Sequence, residues 1–223
     1  DKKRWMLFLL GTLDAGSQFW LFMWAPVNGE GVNIAMGHFL FPLVMALLGR
    51  IWLKETLSTI QIIALCIAAC GVAHELWHNQ TFSWSSLWVC LVYPYYYLSR
   101  KVMKIPALQG ITLDVCFIAI PCLIYLLIQE QQFSFVISES RYWYLLPALG
   151  LVSAIGLSAN LKSNQQIPVS VFAVLSYLEP TLLFLIAIFW LNTQVSLSDY
   201  FTYVPIWTSL ILLGINGLMK KRH

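Results

Sequence analysis

The sequence predicts an all-α polytopic membrane protein from three observations: its composition, its recurring long apolar segments and the distribution of its basic residues. Of the 223 residues, 59% are hydrophobic and 10% are charged, and the mean hydropathy is +0.73. A soluble domain carries about 25% charged residues. Because so few polar groups are present to cover a surface in water, most of the chain must face lipid.

Windows of about 20 apolar residues, the length that a helix needs to cross a bilayer, mark the predicted spans. In chain order the eight spans are 5–26, 32–53, 57–77, 83–99, 110–128, 143–161, 168–191 and 199–219. The connections are short, and no G-x-x-x-x-G-K-[ST] phosphate loop occurs. We therefore expect neither a soluble catalytic or nucleotide-binding domain nor an ATP-driven pump.

The basic residues predict the orientation of the spans. With the N-terminus in the cytoplasm, twelve of the thirteen Lys and Arg residues fall on the inner side and only Arg141 falls outside. This asymmetry is what the positive-inside rule requires. It predicts a multi-pass protein of a bacterial inner membrane with both termini cytoplasmic. Anchoring of the inner loops, which include Arg100, explains the net charge of +3 without a nucleic-acid partner.

An internal repeat relates residues 31–58 to residues 169–196, with an offset of 138. The shared proline, Pro42 in the second span and Pro180 in the seventh, strengthens this match. The seven identical positions in the first copy are Ala35, Leu40, Pro42, Leu47, Trp52, Leu53 and Ser58. Because five spans separate the equivalent helices, the repeat unit is odd and must invert across the membrane.

This repeat predicts a ten-helix fold of two inverted five-helix halves. The second half has two spans before the one that matches the first span of this chain, and the first half lacks their counterparts. Residues 1–79 would then hold the last three helices of the first repeat, and residues 80–223 the whole second repeat. About 60–70 residues with two further helices are expected before residue 1.

Several short motifs, in their order and spacing, resemble the EamA repeat of the drug/metabolite transporter superfamily. They are Phe22-Met-Trp-Ala25, Pro42, Leu53-Lys-Glu55, Leu57-Ser58 and Gly71-Val72. A closer similarity to the RarD-type permeases, named for chloramphenicol sensitivity, rests on Gly16-Ser-Gln-Phe-Trp20, Cys70-Gly-Val72 with Leu76-Trp77, Tyr97-Leu-Ser-Arg-Lys101 and Tyr177-Leu-Glu-Pro-Thr181. The resemblance implies ten helices in two inverted repeats around a central pocket, with the first two helices missing here. The chain departs from the family pattern at Thr193, which stands where Glu55 stands in the first half, and at Glu179, where a small or amide residue is usual.

The stretch His74-Glu-Leu-Trp-His78 fits the zinc-protease pattern H-E-x-x-H. Its two imidazoles lie one helical turn apart, but a zinc site needs a third protein ligand. The only other histidines are His38 and His223. The motif also falls at the outer end of its span, where polar residues cost little. We expect interfacial residues here and no metal or other cofactor, with a metal site at His74 and His78 as the alternative.

Polar residues near the middle of a span are candidates for function, because an ionisable side chain there costs on the order of 2.5–3.5 kcal/mol. Asp14 lies in the first span, with Gln18 one turn later on the same face. His38 lies in the second span and Glu179 in the seventh. These groups either bind substrate and protons or form hydrogen bonds between helices.

Two prolines also lie within the spans that contain His38 and Glu179. Pro42 and Pro180 each remove a backbone donor, and broken or kinked helices at a repeat interface are where transporters of inverted design hold substrate. Tyr177 is a candidate for an aromatic wall of that pocket. Asp114, near the inner end of its span, is expected to be solvated instead.

The sequence therefore predicts a secondary active transporter, not an enzyme, that exports a small organic metabolite or drug-like molecule. Alternating access would be coupled to protons bound by Glu179 and Asp14. Its expected partners are that substrate, protons and the lipid bilayer, and the oligomeric state stays open. The alternatives are an intramembrane zinc metalloprotease and a non-transporting membrane assembly partner.

Overall fold

The computed structural model describes residues 2–80, 83–129, 134, 138–189 and 197–220, and every regular element in those ranges is an α-helix. The predicted all-α class is therefore confirmed. In chain order the helices are α1 (Lys2–Val27), α2 (Gly31–Trp52), α3 (Thr59–Asn79), α4 (Trp84–Met103), α5 (Ala107–Ile128), α6 (Tyr142–Gln166), α7 (Val169–Leu175), α8 (Leu178–Phe189) and α9 (Leu197–Lys220).

These helices follow the predicted spans to within a few residues, except that the seventh span is divided between α7 and α8. Among the described residues, five helices are long and apolar enough to cross a membrane by length and composition: α1, α2, α3, α5 and α6. Shorter apolar stretches occupy 169–182 and 200–215. The repeat positions Trp190, Leu191, Thr193 and Ser196 lie outside the described residues, as do Lys221, Arg222 and His223.

Contacts within the chain divide it into two units. The first comprises Asp1–Ser17 and Tyr96–Gln166, and the second comprises Gln18–Tyr95 and Ile167–His223. Helices α1 and α4 each contribute residues to both units. Each unit is therefore built from two segments that are separate in the sequence.

In the second unit, α3 packs lengthwise against α9, and α2 packs against α7. Small residues on α3 permit this close approach, as in many membrane helix pairs. A buried core joins these helices: Met36, Phe39, Ala64, Ala68, Val72, Val174, Tyr177, Ile206 and Leu213. Ala64, Ala68 and Val72 follow the spacing of one helix face, which explains why they are buried together.

A capping box fixes the start of α3. The Ser58 hydroxyl accepts from the Gln61 backbone N–H at 3.3 Å, and the Gln61 side-chain carbonyl accepts from the Ser58 N–H at 2.8 Å. We expect Ser58→Ala to lower the free energy of unfolding by about 1 kcal/mol, because an N-terminal donor loses its acceptor. Thermal unfolding in detergent, followed by circular dichroism, measures this change. Ser58→Asp keeps an acceptor and should stay near wild type; an equal loss in both variants would contradict the capping role.

In the first unit, α5 packs against α6. Side chains on α4 and α6 also bond to backbone carbonyls across the unit. The Asn164 amide donates to the Tyr97 carbonyl at 2.9 Å, and the Lys101 ammonium donates to the Asn164 carbonyl at 2.8 Å. Gln165 donates to the Ile105 carbonyl at 2.7 Å. These bonds hold the end of α6 against the end of α4 and the turn that follows it.

Candidate functional site

The helices that the repeat matches, α2 and α7, pack antiparallel in the second unit. A Cβ atom on Gly49, near the end of α2, would lie 2.8 Å from the side chain of Val169, at the start of α7. Further along, Tyr177 donates through its hydroxyl to the Phe39 carbonyl at 3.1 Å. The two segments therefore run in opposite directions. Phe39 and Tyr177 are also equivalent positions, since they are 138 residues apart.

The helix breaks expected at the two prolines differ. α2 runs without interruption through Pro42, so the expected break there is absent. A proline removes one hydrogen bond, and the neighbouring bonds of a membrane helix hold the backbone in place. By contrast, the chain leaves the helix between α7 and α8, at Ser176 and Tyr177. Pro180 then lies in the first turn of α8, where a missing N–H costs nothing.

Tyr177 and Glu179 flank the start of α8 but have different surroundings. Tyr177 is fully buried, and its hydroxyl bonds to α2 as described. This bond joins α2 to the turn that precedes α8, and the predicted role of Tyr177 in an aromatic wall stays a prediction. The Glu179 side chain is exposed and forms no ion pair with a described residue.

Two other candidates, Gln18 and His38, lie in the second unit with unpaired polar atoms. Gln18 is 2% exposed, and neither its amide oxygen nor its amide nitrogen has a partner among the described residues. The half-buried His38 has no described partner for Nε2. Its ring lies 4.8 Å from that of Phe22 and 5.9 Å from that of Tyr93, measured between centroids. Gln18 lies one turn before Phe22 on α1, so it is on the same helix face as the ring that contacts His38.

Asp14 belongs to the first unit and is half-buried. Its Oδ2 atom has no hydrogen-bond partner among the residues the structure describes. A buried polar atom without a partner is costly, and such groups in native structures call for a ligand, an ion or water. Gln18, His38 and Asp14 thus each have at least one polar atom without a described hydrogen-bond partner. Nothing in the sequence indicated this.

A buried ion pair in the first unit corrects the expectation that Arg100 and Asp114 are solvated. Both side chains are enclosed, and the guanidinium binds the carboxylate directly. Thr12 donates to Asp114 Oδ1 at 2.6 Å, and Tyr96 donates to Oδ2 at 3.1 Å. The guanidinium also lies 4.4 Å from the ring centroid of Phe8. This cluster joins α1, α4 and α5. The short turn after α4 places Asp114 opposite Arg100, a signal that was present in the sequence.

The residues of the HELWH motif bind α9. The hydroxyl of Thr202 donates to Glu75 Oε2 at 2.5 Å and lies 3.1 Å from His74 Nδ1. The Thr202 hydroxyl therefore lies within hydrogen-bond distance of both motif side chains. The His74 and His78 rings are stacked, with centroids 6.1 Å apart. Within the described ranges no group of three His, Cys, Asp or Glu residues is placed to hold a metal ion.

Glu30, in the connection between α1 and α2, accepts hydrogen bonds from three side chains. Its Oε2 accepts from Ser85 at 2.6 Å, from Ser83 at 2.7 Å and from Asn33 at 2.8 Å. These hydrogen bonds, led by that of Ser85, hold the pKa of Glu30 below its ordinary value. Since they favour the carboxylate, Glu30 stays charged and joins the start of α2 to the start of α4.

Comparison with known proteins places this chain among membrane transporters. The model of the EamA-like transporter family matches residues 1–74. An uncharacterized transporter of Haemophilus influenzae is 74% identical over 98% of this chain and 73% of its own length. The chloramphenicol-sensitive protein RarD of Pseudomonas aeruginosa is 39% identical over 92% of this chain and 69% of its own length. The uncharacterized transporter YojE of Bacillus subtilis is 30% identical over 97% of this chain and 72% of its own length.

Proposed function

Since this chain belongs to the EamA-like transporter family as a RarD-type permease, we propose that it exports a small organic molecule by proton-coupled alternating access. Membership makes it a multi-pass membrane transporter. It would lie in the inner membrane with both termini cytoplasmic, use protons as the coupling ion and have the ten-helix inverted repeat as its architecture. Residues 1–79 and 80–223 would belong to the two repeats.

The observation that carries the proposal is the buried Gln18, whose amide oxygen and nitrogen have no partner among the described residues. It lies on the face of α1 whose Phe22 ring contacts His38. An amide offers one acceptor and two donor hydrogens to a ligand, and the His38 Nε2 offers one more polar contact. The rings of Phe22 and Tyr93 supply apolar surface next to His38. A few convergent polar groups in apolar surroundings are typical of a small-molecule site. We therefore assign Gln18 and His38 to substrate binding.

The antiparallel packing of α2 and α7 supports the mechanism. Repeat-equivalent segments that run in opposite directions are what an inverted repeat requires, and rocking of one such half against the other gives alternating access. The Phe39–Tyr177 bond joins equivalent positions, so a pseudo-two-fold axis would pass near it.

Glu179 is the proposed proton carrier, with Asp14 as a second. A carboxylate in a membrane span is costly, so such a residue is a candidate for function. Glu179 has no ion-pair partner among the described residues, so no cation holds it in the charged form and it is free to take up a proton. In Asp14, Oδ2 is likewise without a described partner.

A proteoliposome experiment tests this assignment. We expect Glu179→Gln to reduce uptake driven by an imposed pH gradient to the level of empty vesicles, because the amide cannot carry a proton. Exchange of labelled for unlabelled compound without a gradient should persist. The first probe is chloramphenicol, since the 39%-identical relative is named for sensitivity to it, and other uncharged aromatic amides follow.

Glu139→Gln is the matched control, since Glu139 lies outside the predicted spans in an exposed ion pair with Arg141. It should transport as wild type does. Gradient-driven uptake that is unchanged in Glu179→Gln would remove Glu179 from the coupling mechanism.

A further inference from the structure

The connection between α2 and α3 is bonded to the start of α7. Glu55 Oε1 accepts from the Val169 N–H at 2.8 Å, and Oε2 accepts from the Ser170 N–H at 3.2 Å. The first N–H groups of a helix have no partner within it, and the helix dipole favours a negative charge there. One carboxylate thus satisfies two donors of a segment that is distant in sequence.

The backbone of this connection is shaped to present Glu55. Lys54 has φ 53°, a left-handed conformation that is uncommon for residues other than glycine. The N–H groups of Leu53 and Glu55 both bond to the Gly49 carbonyl, at 3.2 and 3.3 Å. Gly49 itself leaves no space for a Cβ against Val169. The end of α2 and the start of α7 therefore meet without an intervening side chain from Gly49.

Hydrogen bonds thus join residues 39–55 to residues 169–177 at two heights. The Tyr177–Phe39 bond lies near the proposed symmetry axis, and the two Glu55 bonds lie near Gly49. Phe39 and Gly49 lie about 15 Å apart along α2, from the 1.5 Å rise per residue. When two halves rock, contacts on the axis move least and contacts at the membrane faces move most.

We propose that Glu55, with the backbone N–H groups of Val169 and Ser170, forms an inner latch that must open before the pocket reaches the cytoplasm. The Tyr177–Phe39 bond is the pivot and persists in both states. Glu55 acts through α7 without touching the substrate, so it is a positioning residue. This inference rests on the proposed alternating-access function, because the latch joins the two proposed repeats. The Glu55 bonds are formed in the structure, and the proposal identifies this bonded state with a closed inner end.

Accessibility of a reporter cysteine tests the latch. The five native cysteines are replaced by serine or alanine, and Ala173→Cys places one thiol on the buried face of α7. A membrane-impermeant maleimide is then applied to the full chain in inside-out vesicles. Glu55→Ala should raise the labelling rate about ten-fold, because two charge-assisted hydrogen bonds are lost. Glu55→Gln, whose single side-chain oxygen can keep one bond, should give an intermediate rate.

Glu30→Gln is the matched control at the opposite end of α2, where Glu30 also bonds to another helix start. It should leave labelling from the cytoplasmic side unchanged. An equal rise in Glu30→Gln would show general loosening and overturn the latch, as would an unchanged rate in both Glu55 variants. If Glu55→Ala fails to elute as a folded species in gel filtration, Glu55→Gln alone decides between these outcomes.

The labelling rate requires neither a substrate nor a pH gradient. A failed uptake assay would therefore count against the proposed coupling and leave the latch result intact. Conversely, wild-type uptake with unchanged labelling in the Glu55 variants would overturn the latch and leave the transport function intact.

Discussion

Replacing Asp114 with alanine should lower the free energy of unfolding by about 3–5 kcal/mol, because it leaves a buried guanidinium without its counter-ion. Arg100 is 0% exposed, and Asp114 is its only ion-pair partner among the described residues. Thr12 and Tyr96 would lose their acceptor at the same time. Thermal and denaturant unfolding of the protein in detergent, with size-exclusion chromatography to check folding, measures the loss.

Two further variants separate the missing charge from other effects. The double variant Arg100→Met, Asp114→Leu removes both charges and should recover most of the lost stability, because an apolar pair leaves no charge uncompensated. Glu139→Ala breaks the exposed 3.2 Å ion pair with Arg141 and should change stability by less than about 1 kcal/mol. A double variant as unstable as Asp114→Ala would show that packing, not charge, dominates this cluster.

Gly71→Ala should destabilise the second unit by about 1–3 kcal/mol, since it overpacks the contact between α3 and α9. A Cβ atom at this position would lie 2.5 Å from the Thr202 carbonyl oxygen and 3.3 Å from Pro205 Cβ. The closest atom belongs to the backbone, so the two helices must separate. Alanine is the better helix former by about 1 kcal/mol, which offsets only part of this cost. The melting temperature of the variant in detergent measures the effect.

Gly150→Ala is the matched substitution. Gly150 lies within α6, and a Cβ atom added to it would have no described atom within 4 Å. The same change should therefore raise stability by up to about 1 kcal/mol through helix propensity alone. Opposite signs at the two glycines would identify the close approach of α3 and α9 as the cause. A loss of equal size at both positions would rule it out.

The helices were predictable because lipid leaves the backbone few alternatives. Without water, every N–H and C=O group must bond within its segment, so long apolar runs become helices. The predicted spans 32–53 and 110–128 correspond to α2 (Gly31–Trp52) and α5 (Ala107–Ile128). The EamA and RarD resemblance read from short motifs is confirmed by the relatives.

The parts that sequence reasoning missed depend on contacts between helices. Hydropathy placed Arg100 and Asp114 at span ends, but it does not register that the turn after α4 brings the two side chains together. Proline content indicated breaks at two positions. Only the seventh span is divided, and there Pro180 lies in the first turn of a new helix. The backbone of α2 continues through Pro42. The sequence did not indicate that Glu55 caps the start of α7, because Val169, whose N–H it accepts, is 114 residues away.

The Arg100–Asp114 pair also has a consequence for biosynthesis. α4 is not among the described helices that are apolar enough to span a membrane by themselves, and an arginine costs up to about 2.5–3.5 kcal/mol on the translocon scale. The compensating carboxylate emerges from the ribosome 14 residues later, on α5. The nascent α4 therefore gains its full stability in lipid only after α5 has been synthesised. The two segments should leave the translocon together, as a helical hairpin with its charges already neutralised.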